Sequence, residues 1–317
     1  MPLPKIFEGL RLPAIAAPMF LASGPNLVVE VCRSGLVGTF PALNQRTTEG
    51  FVDWLTEIKS RLSAVPNAAP YGVNLIVHRS NPRLEPDLQK IVEHKVPLII
   101  TSLGAVPDVV KAVHSYGGLV FHDVISRRHA EKAAEAGVDG IIAVTAGAGG
   151  HAGTLSPFAL IPEIRSFFDG TILLSGATST GAQIAAARVM GADMAYLGTR
   201  FLATKEATIS EEQKRMTVEA KAADIFYTPA ISGVAANFLR PSLVAAGLDP
   251  DNLVNHGAMD LGNEAKAWKT VWSAGQGVAS LRDVPGAAEL CERLIAEYAQ
   301  AMAQAGADPF AVKATSV

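Results

Sequence analysis

The segment from Thr145 to Thr154 places glycines at 147, 149, 150 and 153 around a single titratable side chain, His151. An imidazole titrates near neutral pH and can take or return a proton with little mismatch, so a histidine exposed by glycines reads as a general base. The competing reading is a structural histidine capping a turn, the better one for an arbitrary histidine. Its place among glycines at the end of an apolar run puts the catalytic reading ahead here. Gly147 to Ala152 also fits the pattern G-x-G-x-x-A, yet a dinucleotide fingerprint needs an acidic residue ending the next strand, and that run ends Leu174-Ser175-Gly176. Of the other histidines, His122 ends an apolar run and is a second-rank site residue. His94, His114 and His129 fall on outer helices, and His78 and His256 are weak candidates. No two share a spacing that suggests a metal site.

Two further turns suit an anion. Ser175-Gly176-Ala177-Thr178-Ser179-Thr180-Gly181 opens a helix, and Gly198-Thr199-Arg200-Phe201 follows the next apolar run. Glycine lets backbone N–H groups approach a phosphate, and a helix start carries partial positive charge toward it. Neither is a Walker loop, since no Gly-Lys-Ser/Thr follows. Each alone reads as an ordinary turn; the pair points to a phosphate site. Earlier in the chain, Met19 in Ala17-Pro18-Met19 could pack against a flat ring, and the Asn74 amide could bond a heterocycle edge. A core methionine and a turn asparagine are the bland alternatives.

These residues sit at the ends of repeated units. Apolar runs at 13–17, 36–40, 72–76, 97–101, 119–122, 140–144, 171–175 and 194–197 alternate with helical segments near 26–33, 49–62, 84–94, 107–115, 128–136, 157–168 and 180–190. Continuous apolar strands alternating with helices predict a parallel sheet, and eight of them favour a closed (β/α)8 TIM barrel, whose sites lie at the strands' C-terminal ends. An open doubly wound sheet is the alternative. Ser126 and Ser156-Pro157 mark helix starts, and Gly137 and Gly191 mark helix ends. After Ala203 clean strand signals stop. The expectation is a mainly helical lobe over 204–269 inserted after the eighth strand, the barrel comprising 1–203 and 270–317. Leu290, Leu294, Tyr298 and Met302 form one apolar stripe of a last helix.

Composition excludes other classes. With 27 Lys+Arg against 30 Asp+Glu there is no basic stripe for a nucleic acid. No apolar run is long enough to span a bilayer, and the start of the chain lacks a signal-peptide pattern, which predicts a soluble, cytoplasmic protein. Cys32 and Cys291 have no ligand neighbours and read as buried apolar groups.

The motifs together resemble the nitronate monooxygenase (2-nitropropane dioxygenase) family of FMN-dependent barrels, over nearly the whole chain. Ala17-Pro18-Met19 resembles its first-strand motif, Tyr71-Gly72-Val73-Asn74-Leu75 its G-V-N-L strand and Ala148-Gly149-Gly150-His151-Ala152-Gly153 its A-G-G-H-x-G loop. Ser175-Gly176-Ala177 is similar to its flavin-phosphate turn, Gly198-Thr199-Arg200-Phe201-Leu202 to its G-T-R-F-L segment and Ala274-Gly275-Gln276 to its A-G-Q turn. The resemblance implies FMN as cofactor, with Ala17, Pro18, Met19, Asn74, His122, Gly149, Gly150, Ser175, Gly176, Ala177, Gly198, Thr199 and Gln276 as its candidate contacts. It implies His151 as catalytic base, and an oxidoreductase that turns alkyl nitronates and O2 into carbonyl compounds and nitrite. A homodimer is among the open oligomeric options. The sequence departs from the family at Gly147, where an acidic residue is common, at Val144 or Thr145, where glutamine is frequent, and at Phe20-Leu21, which replace glycines. An NAD(P)H-dependent reductase with the same flavin site, such as an enoyl-acyl-carrier or quinone reductase, is the alternative. A flavin-free phosphate-binding lyase or isomerase would need a lysine or paired carboxylates at strand ends, where only Asp123 stands.

Overall fold

The apolar runs become strands whose register closes into a ring. In the computed structural model, which describes residues 3–78, 80–104, 107–253 and 270–308, these are β1 (Ala14–Ala16), β2 (Val37–Pro41), β3 (Tyr71–Ile76), β4 (Leu98–Ser102), β5 (Leu119–Val124), β6 (Gly140–Val144), β8 (Thr171–Ser175) and β9 (Met194–Leu197), with a two-residue β7 (Gly150–His151) between β6 and β8. All eight long neighbours pair in parallel in the order β1-β2-β3-β4-β5-β6-β8-β9. The last pairs with the first through Ala14 with Ala195, Ile15 with Tyr196 and Ala16 with Leu197. That pairing excludes the open sheet: the fold is an α/β (β/α)8 barrel.

Strand alternation sorts side chains between two cores. Ile15, Val37, Leu98, Ile100, Phe121, Ile142, Leu173 and Met194 fill the barrel, and Phe7 from the N-terminal turn packs on Phe121 with ring centroids 5.9 Å apart. Val73, Ile99, Val120, Val124, Ile141 and Ile172 point outward under the helices. Helix starts follow local chemistry. Ser126 accepts from the His129 N–H, and Thr180 forms a capping box with Gln183. Ser156 makes no side-chain cap, so there the start rests on Pro157 alone. Gly137 (φ +85°) and Gly191 (φ +108°) hold the left-handed turns that return the chain to β6 and β9.

Among the described residues the excursion after β9 holds strands as well as helices. Helices Glu211–Glu219 and Arg240–Ala245 flank an antiparallel ribbon, β10 (Ile225–Thr228) and β11 (Ala236–Leu239). The ribbon extends to a three-stranded sheet by pairing β11 with β7, Ala236 opposite His151 and Asn237 opposite Gly150. Its strands escaped the sequence reading because they are four residues long and their partner is a glycine loop far away in the chain. His256, part of the 204–269 lobe and the end of the 270–317 segment lie outside the described residues. The helix Ala287–Gly306 returns to the barrel wall with Leu290 and Leu294 buried and Tyr298 packed at the edge, whereas Met302 is exposed and leaves the expected stripe. It sits so close that a methyl on Gly181 would meet the Leu294 carbonyl at 2.2 Å. Cys32 and Cys291 are buried and unpaired with each other, and burial pushes both thiols up to about 12.

Candidate active site

A cavity of about 1670 Å³ opens at the C-terminal ends of the barrel strands. Pockets for one drug-sized ligand run to about 300–1,000 Å³, so this one has room for a cofactor and a second molecule. Its floor is the topmost inward layer of the barrel: Ala17, Asn74, Ser102, Asp123, Val144, Ser175 and Tyr196 all line it. Pro18, Met19, Gly149, Gly150, His151, Gly176, Ala177, Gly198 and Thr199 line its walls. Two of the residues expected from the sequence stand differently from the rest: one lies off the cavity wall, and one lines it from an outward-facing position.

The first is Gln276. It is not on the cavity wall; its N–H donates to the Gly147 carbonyl at 2.8 Å and its side chain lies against Gly147, bracing the histidine loop from behind. The second is His122. Phe121 belongs to the interior core while Val120 and Val124 belong to the outer one, so alternation turns His122 outward and Asp123 inward. The His122 Nδ1 bonds the outward Thr101 hydroxyl at 2.7 Å, and burial lowers its pKa to about 4, leaving a neutral ring at the cavity's outer margin.

The glycine loop around His151 is clamped, contrary to the flexible run its composition suggests. The Gly150 N–H donates to Ser273 Oγ at 2.7 Å, and that hydroxyl donates to the Asn237 carbonyl. Asn237 Nδ2 reaches the Ala148 carbonyl at 2.7 Å, and the Tyr227 hydroxyl donates to the Ala152 carbonyl at 3.1 Å. A Cβ on Gly149 would lie 2.9 Å from the Gly275 nitrogen, and one on Gly275 would lie 2.4 Å from the Gly147 oxygen. These glycines therefore let two backbones touch, and the contact fixes the base of the His151 ribbon.

The two anion turns differ in what they leave free. At the helix Gly181–Val189 the first N–H groups are already used: Gln183 Oε1 accepts from Ser179 and Thr180, and Glu297 Oε2 accepts from Gly181 at 2.7 Å. The helix start expected to face an anion thus faces a carboxylate. Before it, Gly176 (φ +151°), Ala177 (φ +51°) and Thr178 line the cavity, with the Ala177 N–H donating to the Gly147 carbonyl at 3.4 Å and the Thr178 hydroxyl to the Gly176 carbonyl at 3.1 Å. Gly198 stands across from it, its would-be Cβ 3.8 Å from Ala17 and Met19. The Thr199 hydroxyl accepts from the Gly275 N–H at 2.8 Å, tying this turn to the returning chain. Arg200 points away and pairs with Asp283 at 2.9 Å, so its charge is spent outside the cavity.

Sequence reasoning named Asn74 and Asp123 separately and missed Ser102, which joins them into a polar floor. Asn74 Nδ2 donates to Ser102 Oγ at 2.7 Å, and Ser102 Oγ donates to Asp123 Oδ2 at 2.6 Å. Burial pushes the Asp123 carboxyl up to about 6, although Ser102 and His151 both act to hold it down. Burial, with Asp123 adding to it, raises the Tyr196 phenol well above its ordinary value, so it stays protonated. Period-two counting from Phe121 would have turned Asp123 into the cavity. Among the described residues no group of three or more His, Cys, Asp or Glu could hold a metal ion, and no helix is long and apolar enough to cross a membrane.

The chain is similar to known proteins in sequence and in fold. The family model described as nitronate monooxygenase matches residues 5–297. A nitronate monooxygenase of Paraburkholderia phytofirmans is 27% identical over 354 aligned positions, covering 93% of this chain and 94% of that protein. The chain spans 66% and 65% of the length of the first two curated relatives it matches. Among solved structures, nitroalkane oxidase from Streptomyces ansochromogenes superposes with a TM-score of 0.83 at 23% identity, over 95% of this chain and 99% of that one. FabK from Thermotoga maritima does so with a TM-score of 0.78 at 21% identity, over 95% and 97%. At those identities the two structures speak for the fold.

Proposed function

The chain belongs to the nitronate monooxygenase family, a group of flavin-dependent oxidoreductases, and on that premise we propose that it is an FMN-dependent nitronate monooxygenase with His151 as general base. The observation that carries the proposal is the placement of His151, held on a clamped ribbon at the wall of a cavity large enough for two ligands. Backbone groups of Gly176, Thr178, Gly198 and Thr199 would hold the phosphate, the Ala177 N–H being turned to the Gly147 carbonyl. When bound, FMN would supply the acceptor for the substrate's electrons and their route to O2, with a carbonyl compound and nitrite as products.

The protein's own part is proton transfer and positioning. His151 takes the α-proton when a neutral nitroalkane is offered, and the ribbon keeps its ring directed at the cavity. His122 stays neutral and outward, so it does not compete for that proton. Thr208, Gln213 and Tyr227 from the excursion after β9 line the same cavity; we assign this segment to covering the mouth and selecting substrate. Excluding water there strengthens every electrostatic contact the base makes.

Replacing His151 with Asn should leave FMN bound while nitroethane turnover falls by about 10²- to 10⁴-fold; an unchanged rate would remove the residue from the mechanism. A second reading is an NAD(P)H-dependent flavin reductase, favoured by the size of the cavity. Anaerobic mixing separates the two: bleaching of the bound flavin by a nitronate and not by NADH supports the monooxygenase, and rapid bleaching by NADH supports the reductase. A purified protein that is colourless and takes up no FMN would overturn both.

A further inference from the structure

Asp123 is a carboxyl group that the proposed chemistry leaves unused. It stands on the inward face of β5, lines the cavity, and is flanked there by Ser102, His151 and Tyr196. An ionised carboxylate offers about four lone-pair directions. Ser102 fills one of them on Oδ2, and Oδ1 is buried with no hydrogen-bond partner. A buried acceptor left unsatisfied is costly and uncommon, and at a functional site it points to a group that arrives later. The terminal torsion of an aspartate is broad and about two-fold, so either oxygen can be turned toward the cavity.

We propose that Asp123 is a substrate-contacting residue, which accepts a hydrogen bond from a hydroxyl group on the substrate and so selects a hydroxyl-bearing nitroalkane. The inference rests on the nitronate reading for the word nitroalkane and on geometry for the rest. The substrate is preferred to the cofactor as donor because Asp123 stands beside His151, the group that acts on substrate. The strands carrying the phosphate turns, β8 and β9, lie further round the barrel, beyond β6.

The probe is a pair of the same size, 2-nitroethanol and 1-nitropropane, which differ by a terminal hydroxyl against a methyl. Binding is read anaerobically from the perturbation of the bound flavin spectrum, above the titration range of Asp123 and with His151→Asn in every protein compared so that proton abstraction does not reduce the flavin, and kcat/KM is read in air with His151 restored. A charge-assisted hydrogen bond predicts that the wild-type protein binds the alcohol about tenfold or more tighter. Asp123→Ala should erase the difference. Asp123→Asn, which keeps the side-chain size and a neutral acceptor, should retain a reduced part of it. Equal affinities in the wild type, undetectable binding of the alcohol, or a preference that survives Asp123→Ala would overturn the assignment. A loss of FMN affinity in Asp123→Ala with the preference intact would reassign the contact to the cofactor and overturn it too. If the alcohol binds preferentially but neither compound is turned over, the nitronate reading fails and this one stands.

Discussion

Gly198 offers a direct test of the phosphate site, because the protein should tolerate a methyl there and the cofactor should not. Its φ of −97° is open to any residue, and a Cβ would make ordinary contacts at 3.8 Å with Ala17 and Met19. Loss of a glycine from the start of the short helix Thr199–Leu202 costs a little, and the stiffer unfolded chain gives back about 0.4–1 kcal/mol. Gly198→Ala should therefore keep the apoprotein's stability to within about 0.5 kcal/mol. The same methyl would hold a phosphate off the turn. Forfeiting one charge-assisted contact at about 1.5–3 kcal/mol corresponds to a rise of about 10- to 150-fold in the Kd for FMN. Riboflavin, which has no phosphate, is the internal control, and its affinity should barely move. Quenching of flavin fluorescence measures both ligands on one sample. Gly176→Ala gives the contrast, because its Cβ would fall 2.2 Å from the Thr145 hydroxyl at a φ of +151°. That variant should lose about 3 kcal/mol of stability before any question of binding arises. The reasoning is refuted if Gly198→Ala binds FMN as tightly as the wild type, or if FMN and riboflavin weaken by the same factor.

Two other outcomes follow from the site's geometry. Asn237→Ala removes the donor to the Ala148 carbonyl and loosens the clamp on His151; kcat should drop about tenfold with FMN affinity retained, an effect worth about 1.4 kcal/mol, and an unaltered kcat would show that the ribbon holds without it. The carboxyl of Asp123 titrates at about 6 in the fold against 3.8 for the free group, so the folded state binds the extra proton and stability falls as pH rises from about 4 to about 6. Asp123→Asn should flatten that fall and make the protein more stable above it, by on the order of 1 kcal/mol; thermal melts across that pH range check the sign, and a variant less stable than wild type at neutral pH would contradict it.

How much of this was legible in the sequence depended on whether the determining contact was local. The eight barrel strands were readable to within a few residues, because each is a continuous apolar run bounded by a turn. Closure was favoured by the count of eight and is established by the pairing of Ala14–Ala16 with Ala195–Leu197, segments at opposite ends of the repeat. The helix start at Gly181 looked ready for an anion because its local residues are Thr180 and glycine. The carboxylate that occupies it, Glu297, comes from 116 positions away. The ribbon Ile225–Thr228 and Ala236–Leu239 was hidden for the same reason, its partner being a glycine loop.

The glycine–histidine loop sharpens the point, because its composition was right about the residue and misleading about the physics. Glycines around His151 suggested freedom to move. In the fold Gly149 and Gly275 stack backbone on backbone, and Ser273, Asn237 and Tyr227 bind the loop from three directions. Small residues here allow close approach, and close approach produces rigidity, which is what a base needs if its ring is to stay aimed at one carbon. Close packing thus accounts for Gly149 and Gly275 without reference to a ligand. The chemical assignment falls on the side chains that reach the cavity, among them Asp123 on barrel strand β5 and His151 on the loop strand β7. His151 was named by its motif; Asp123 was named only for standing at a strand end, and counting two residues on from a core phenylalanine turns it into the cavity.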